Sequence, residues 1–263
     1  MGPARVFSRW RCAAAAVGLL ALASAGCATS SSTSGNGSQV GGVIVVAAAS
    51  SLTEAFQTIA TDFEALHPQV TVDLTFDSSS RIAAQIDEGA PIDLFASADE
   101  ALVEPVVDLS PRPATAFAMS DLQIVTKSGN PLGIRSLSDL ASVDVVALCA
   151  PKAPCGKYAD EILAGSGVAL SADHITRADS AKATLGAVTY GDADAGIVYS
   201  TDVLAAGDNA TGVVIPKAHN HTAIYVIVQI VNTKNKMAAP SFMAYLSSPE
   251  AKATLRSFGF STP

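Results

Sequence analysis

Two serine-rich turns carry the side chains best suited to bind a ligand. Ser50-Ser51-Leu52 follows the apolar run 43–49, and Ser78-Ser79-Ser80 follows the alternating segment 70–76. Each turn lies between a predicted strand and a predicted helix. Serine often caps helices, so capping is the simpler interpretation of either turn alone. In open α/β sheets, however, the carboxyl ends of strands line the ligand crevice. Free N–H groups, the helix dipole and a hydroxyl there favour an anion site.

No catalytic constellation accompanies these serines. An esterase would need G-x-S-x-G with a histidine and an acid, and that motif is absent. His219-Asn220-His221 lacks further metal ligands at a recognisable spacing. Asp192 and Asp194 in GDADAG lack the glutamate that a calcium loop places at its twelfth position. The residues therefore predict binding rather than catalysis, with a binding protein for a metal cation as an alternative.

Short apolar runs alternate with amphipathic segments from residue 42 onward. The predicted strands are 43–49, 70–76, 92–96, 122–126, 143–148, 195–198, 211–215 and 222–231. The predicted helices are 52–66, 82–86, 99–107, 157–165, 180–190, 239–247 and 249–257. Strands that alternate with helices predict an α/β fold with mostly parallel sheets.

Residues 1–26 have the features of a signal peptide. Three arginines precede the apolar run 12–23, which is too short to span a bilayer. Ala25-Gly26-Cys27 resembles a bacterial lipobox, with Ser24 where Leu or another aliphatic residue is usual. We therefore expect Cys27 to carry acyl chains such as palmitate; simple cleavage after Ala25 is the alternative. Small polar residues dominate 28–41, which predicts a flexible tether over 27–41. The sequence therefore predicts an extracytoplasmic protein anchored to the cell membrane by a lipid at Cys27.

Cys149 and Cys155 form an even pair once the two N-terminal cysteines are assigned to export. In an oxidising compartment we expect a disulfide between them. Two reduced thiols are the alternative, and metal binding is disfavoured because no histidine or third cysteine lies nearby in the sequence.

The composition limits the class of partner. The chain has 263 residues, 49% of them apolar and 15% charged, which is enough for a sizeable core. The formal net charge of −8 disfavours nucleic acid and any basic membrane-binding surface. An anion site must therefore be built from local dipoles and hydroxyls.

Several motifs in order resemble the periplasmic molybdate-binding proteins of ABC importers. They are AAASSLTEAFQTIATDF, FDSSS, QIDEGAPIDLFASAD, PCGKYA, SAKATL, GIVYSTD and YLSSPEAKATLRSFGF. The resemblance extends over 42–261 and implies a two-lobed periplasmic-binding-protein fold of type II, with the ligand in the cleft between lobes. Lobe 1 is expected to comprise 42–121 plus 227–263, and lobe 2 to comprise 122–226.

The resemblance also implies a set of ligand-binding residues. They are the hydroxyls of Ser51, Ser79 and Tyr199 and the backbone N–H groups of Cys155 and Ala181. The family commonly has Ala or another small residue at the position of Cys155 and often has Val at the position of Ala181. Ser50, Ser78 and Arg81 are additional candidates. Asp77 and Arg81 occupy positions where the family often has uncharged residues. We expect them to form an ion pair beside the helix start, from which Arg81 also reaches the ligand. The alternative is that both are solvated surface charges.

The function implied by the resemblance is capture of molybdate, and also tungstate, for delivery to an ABC transporter permease. The protein would be a monomer without a cofactor and would perform no chemistry. Binding of another tetrahedral oxyanion, such as sulfate or phosphate, is the alternative.

Overall fold

The computed structural model describes residues 40–107, 110–230 and 235–263. The predicted signal peptide, Cys27 and nearly all of the predicted tether lie outside the described residues. The strands are β1 Gly42–Ala49, β2 Val70–Asp77, β3 Leu94–Ser97, β4 Thr115–Lys127, β5 Val146–Cys149, β6 Ile175–Ala178, β7 Ala195–Tyr199, β8 Ala210–Val214 and β9 Thr222–Gln229. The helices are α1 Thr53–Leu66, α2 Ser79–Asp87, α3 Glu104–Val107, α4 Pro154–Gly165, α5 Ala181–Thr189, α6 Ser200–Ala206, α7 Ala238–Tyr245 and α8 Pro249–Ser257.

The strands follow the order β2-β1-β3-β9-β4-β7-β5-β6, with β8 paired to β4. β1 is parallel to β2 and β3, and β5 is parallel to β6 and β7. The long strands β4 and β9 run antiparallel to their neighbours and connect the two parallel groups. The fold is therefore two-lobed: the first lobe is built on β1–β3 and the second on β5–β7.

β4 changes its partner in the middle of its length. Asp121 pairs with Thr222 of β9, whereas the next residue, Leu122, pairs with Tyr199 of β7. A register shift between Ala116 and Ala118 lies closer to its start. β4 therefore belongs to the first lobe at its beginning and to the second lobe at its end.

The core of the first lobe is formed by the apolar face of α1. Phe56 and Phe63 are fully buried on this face. The Phe63 ring meets Phe242 of α7 edge-on at 5.2 Å, and the Phe56 ring lies 5.6 Å from Phe117 of β4. Such aromatic pairs stabilise a core by about 0.5–1.5 kcal/mol beyond their buried area. The packing holds the start of α1, and hence the first serine turn, against the sheet.

The predicted elements are largely present, with two omissions and several shifted boundaries; the starts of α2, α4 and β5 each differ by three residues from the prediction, and the start of α3 by five. β6 and α6 were not predicted, because β6 is a partly exposed edge strand with arginine and threonine, and α6 spans only seven residues. β4 begins at Thr115, seven residues before the predicted start at 122. Among the described residues, no helix is both long and apolar enough to cross a membrane.

Candidate anion-binding site

A small, partly open cavity lies between the two lobes where the serine turns meet α4 and α5. It contains every predicted ligand-binding residue except Arg81. The residues that line it are Ala49, Ser50, Ser51, Ser78, Ser79, Ala98, Pro154, Cys155, Ala181 and Tyr199. The two serine turns come from the first lobe, and Cys155, Ala181 and Tyr199 come from the second.

The two central serines are held in place through their oxygen atoms. Ser51 Oγ lies 2.8 Å from the hydroxyl of Tyr225 in β9. Ser79 Oγ accepts a hydrogen bond of 3.0 Å from the backbone N–H of Ala98, just after β3. Both serines are buried. Because Ser79 Oγ already accepts a bond, its own proton is free for an acceptor in the cavity.

The second lobe presents backbone N–H groups from helix starts. In α4, the carbonyl of Ala153 accepts the amides of Gly156 and Lys157, which leaves the Cys155 amide without an intrahelical acceptor. In α5, the Ala183 amide donates to Ser180 Oγ at 3.3 Å. The Ala181 amide again precedes the first intrahelical bond. Both amides belong to residues that line the cavity.

A disulfide joins Cys149 at the end of β5 to Cys155 at the start of α4, as predicted. The loop that it closes packs tightly against the helix. A Cβ added at Gly156 would lie 2.1 Å from the carbonyl oxygen of Ala150. Only glycine therefore allows α4 to begin so close to the strand end, and the disulfide and Gly156 together fix the position of the Cys155 amide.

The hydroxyl of Tyr199 is a buried donor without a partner. Tyr199 is 2% exposed, and its hydroxyl makes no hydrogen bond to any described residue. Burial raises the pKa of Tyr199 well above its ordinary value, and the same holds for Tyr225. Both phenols are therefore neutral at physiological pH. An unpartnered buried hydroxyl is unfavourable unless a ligand accepts its proton.

Of the described residues that line the cavity, none carries a charge. Arg81, expected to add reach to the ligand, does not line it. Its guanidinium pairs with Asp77 at 3.2 Å, as expected, and with Asp179 of the second lobe at 2.9 Å. These two carboxylates hold the arginine at the surface, where its side chain is 54% exposed.

A buried carboxylate lies behind the cavity wall. Asp202 in α6 is fully buried, and Lys182 Nζ lies 3.6 Å from its Oδ1. Burial raises the pKa of Asp202 to about 7, although the charge of Lys182 opposes the shift. Lys182 also pairs with Glu54 at 2.6 Å. The carboxylate is thus partly neutralised without contacting the cavity.

Two residues of this site were not predicted. Tyr225 is 174 positions from Ser51, and Ala98 acts through its backbone. The only sequence signal for Tyr225 is an aromatic residue in a buried strand, which is also typical of an ordinary core.

The alternative of a cation site receives no support from the described residues. No group of three or more histidine, cysteine, aspartate or glutamate side chains among them could hold a metal ion. His221 instead stacks on Tyr158 with ring centroids 3.8 Å apart, and its Nδ1 lies 3.6 Å from Glu161.

Comparisons with known proteins agree with this geometry. The family model described as bacterial extracellular solute-binding protein matches residues 44–261. The chain is 36% identical over 224 residues to the molybdate-binding protein ModA of Mycobacterium tuberculosis, covering 84% of this chain and 85% of that protein. It is 32% identical over 249 residues to the molybdate-binding protein ModA of Escherichia coli, covering 90% of this chain and 95% of that protein. The structure of the periplasmic molybdate-binding protein of Azotobacter vinelandii has the same fold, with a TM-score of 0.76, 23% identity and coverage of 84% of this chain and 99% of that one. The chain belongs to the bacterial extracellular solute-binding proteins.

Proposed function

We propose that this protein captures molybdate outside the cytoplasm and delivers it to an ABC importer, without performing any chemistry. The observation that carries the proposal is the set of uncharged donors that both lobes present to one small cavity. The relatives named as molybdate-binding proteins support the choice of ligand.

The proposed donors are three hydroxyls and two backbone amides. Ser51, Ser79 and Tyr199 donate through their hydroxyls, and Cys155 and Ala181 donate through their N–H groups. For Ser51 to donate to the anion, the Tyr225 hydroxyl must donate to Ser51 Oγ across their 2.8 Å contact. Ser50 and Ser78 also line the cavity and are additional donors in this proposal.

The electrostatics suit a dianion. Burying one without partners is very unfavourable. Each helix N-terminus carries about +0.5 of an elementary charge. The four turns that precede α1, α2, α4 and α5 could therefore offset about two negative charges. Each hydrogen bond to a charged acceptor adds about 1.5–3 kcal/mol. Because no salt bridge forms between protein and ligand, release of the anion itself breaks none.

In this proposal the donors select tetrahedral dianions as a class, and the size of the cavity selects among these dianions. Tungstate shares the charge and shape of molybdate, so we propose that it binds as well. Sulfate has the same charge and tetrahedral geometry but shorter bonds. If the donors are spaced for the longer bonds of molybdate, sulfate would reach fewer of them at once.

The proposed lobe boundaries are 42–121 plus 227–263 for lobe 1 and 122–226 for lobe 2. The partner change of β4 between Asp121 and Leu122 supports the first boundary. The second boundary lies within β9, although β9 pairs along its whole length with β3 and with residues 115–121 of β4, which favours a boundary before Thr222. These crossing strands would serve as the hinge that lets the cleft open.

We also propose that residues 1–26 are a signal peptide and that Cys27 is lipidated. The argument rests on the arginines, the apolar run and the lipobox. The tether over 27–41 would then hold a monomeric binding protein near the permease. If so, Cys27→Ala should move the protein from the membrane fraction to the soluble fraction.

Calorimetric titration with molybdate, tungstate, sulfate and phosphate tests the ligand. Ser51→Ala combined with Ser79→Ala should weaken molybdate binding by about 3–6 kcal/mol, from two lost bonds to a charged group. The double variant Ser247→Ala/Ser257→Ala, at exposed positions, is the control and should bind normally. Unchanged affinity in the Ser51/Ser79 variant, with native circular dichroism, would refute the site. Tighter binding of sulfate than of molybdate would refute the ligand.

A further inference from the structure

Two lysines of the second lobe contact carboxylates of the first lobe beside the cavity. Lys157 Nζ in α4 lies 2.8 Å from Asp99 Oδ2, and Lys182 Nζ in α5 lies 2.6 Å from Glu54 Oε1. We name Lys157–Asp99 the first clasp and Lys182–Glu54 the second clasp. Each clasp links a helix whose start lines the cavity to a facing segment of the other lobe.

Neutral hydrogen bonds accompany both clasps. The Tyr158 hydroxyl donates to the carbonyl oxygen of Ala98 at 3.3 Å, next to the first clasp. The amide of the same Ala98 orients Ser79. Beside the second clasp, the backbone amide of Lys182 donates to Ser50 Oγ at 3.5 Å. The clasps therefore act on the same segments that present the proposed donors to the anion.

Burial distinguishes the clasps from the third ion pair between the lobes, Arg81–Asp179. The side chains of that pair are 54% and 74% exposed, so it should contribute little. In contrast, each clasp has one well-covered member: Asp99 is 10% exposed beside Lys157 at 44%, and Lys182 is 26% exposed beside Glu54 at 38%. The hydrogen bond that Lys157 donates to Asp99 raises the pKa of Lys157, which keeps this lysine charged at physiological pH.

We propose that Lys157 and Lys182 are positioning residues that hold the two lobes closed over the anion through the clasps. The inference rests on the proposed function, because it gives the clasps a ligand to retain. An anion enclosed from both lobes leaves only when the lobes part, and both clasps must then break. Loss of a clasp should therefore speed dissociation far more than it changes association.

Paired neutralisations separate a clasp from a simple effect of local charge. Lys157→Gln removes a positive charge near the anion, whereas Asp99→Asn removes a negative one. A purely electrostatic role predicts opposite changes in affinity. A clasp predicts that both variants release molybdate faster, by about two- to fivefold, the range expected for a partly exposed ion pair. Asp99→Asn keeps Oδ1, which accepts the Ala101 amide at 3.0 Å, so the local turn is preserved.

The second clasp and a matched control complete the set. Glu54→Gln breaks the second clasp and leaves Lys182 beside Asp202. Combined with Asp99→Asn it should speed release by about tenfold, because the clasps are independent. Asp160→Asn breaks the Arg177–Asp160 pair, which lies at 2.8 Å within the second lobe and has comparable exposure. This control should release molybdate at the wild-type rate.

Release of radioactive molybdate, chased with unlabelled molybdate, is measured on the exported protein purified in detergent. Faster release in both Lys157→Gln and Asp99→Asn, with normal release in Asp160→Asn, is expected. Opposite effects of the two variants, or no effect of either, would overturn the clasps while leaving the proposed function intact. Failure of the wild type to bind molybdate would instead overturn the function.

Hydrogen exchange tests the clasps without any ligand. Lys157→Gln should speed exchange of the amides over 98–101 in the opposite lobe, and Asp99→Asn should speed exchange at the start of α4. Exchange in both segments equal to that of Asp160→Asn would overturn the first clasp even if molybdate does not bind.

Discussion

Tyr199→Phe separates a role of the buried hydroxyl in ligand binding from a role in folding. The hydroxyl has no hydrogen-bond partner among the described residues. If it donates to the bound anion, its removal loses about 1.5–3 kcal/mol of binding free energy. Since about 1.4 kcal/mol is a factor of ten, the dissociation constant for molybdate should rise about 10- to 150-fold.

The same substitution should have the opposite effect on the ligand-free protein. A buried hydroxyl without a bond is unfavourable by about 1–3 kcal/mol, and phenylalanine removes this penalty. The melting temperature without ligand should therefore stay constant or rise, by about 2–4 °C for each kcal/mol gained. A gain in stability together with a loss of affinity is the signature of a group reserved for the ligand.

Calorimetry with molybdate and thermal unfolding without it provide the two readouts. Tyr225→Phe is the matched control, because its hydroxyl already has a partner in Ser51 at 2.8 Å. That variant should lower the melting temperature of the ligand-free protein. An unchanged dissociation constant in Tyr199→Phe, or a fall in melting temperature like that of the control, would refute the reasoning.

Three further predictions concern stability and redox state. Gly156→Ala should lower the free energy of unfolding in urea by about 1–3 kcal/mol, because its Cβ would lie 2.1 Å from the Ala150 carbonyl oxygen. Gly186→Ala is the control and should be neutral or stabilising, because an added Cβ there would meet no neighbouring segment within 4 Å. Equal effects of the two substitutions would contradict the packing argument. Reduction of the disulfide should weaken molybdate binding measured by calorimetry while the protein stays folded. The protein should stay folded because a disulfide across a sequence separation of 6 contributes only about 2 kcal/mol to stability. Unchanged affinity would mean that α4 alone holds the Cys155 amide. The pKa of Asp202 rises from 3.8 to about 7 on folding. Between these two pH values the folded state therefore binds one proton more than the unfolded state. The free energy of unfolding should fall by up to about 1.4 kcal/mol per pH unit as the pH rises toward 7. Urea unfolding between pH 5 and 8 measures this pH dependence, which Asp202→Asn should remove. An equal pH dependence in both proteins would contradict the role of Asp202.

Local sequence patterns were sufficient to predict the three parallel strands of the first lobe, β5 and β7 of the second lobe, and the two serine turns. The run 43–49 is apolar throughout because most of β1 is covered on both faces. A continuous apolar run of this kind can be recognised from the sequence alone. The Cys149–Cys155 pair was also predictable, since its partners are close in the chain. These features depend on spacing within a few residues.

Contacts between distant segments could not be predicted in the same way. Ser51 and Tyr225 are 174 positions apart, and Lys182 and Glu54 are 128 apart. Their proximity follows from the register of β9 and from the approach of the two lobes, neither of which leaves a periodic signal. Arg81 shows the converse error: a cation beside a serine turn suggests a ligand contact, but Asp77 and Asp179 hold it away from the cavity.

The chemistry of the cavity wall also bears on the protonation state of the ligand. Among the described residues that line the cavity, none has a carboxylate, and Ser79 Oγ already accepts a bond. An oxyanion that carries a proton at neutral pH, such as hydrogen phosphate, needs an acceptor for that proton. In this cavity the side-chain acceptors for that proton are hydroxyl oxygens, and a hydroxyl that accepts it must turn its own proton away from the anion. A fully ionised anion keeps every hydroxyl as a donor. We therefore expect hydrogen-bond polarity to favour a fully ionised anion over a protonated one of the same shape and charge, in addition to any effect of size.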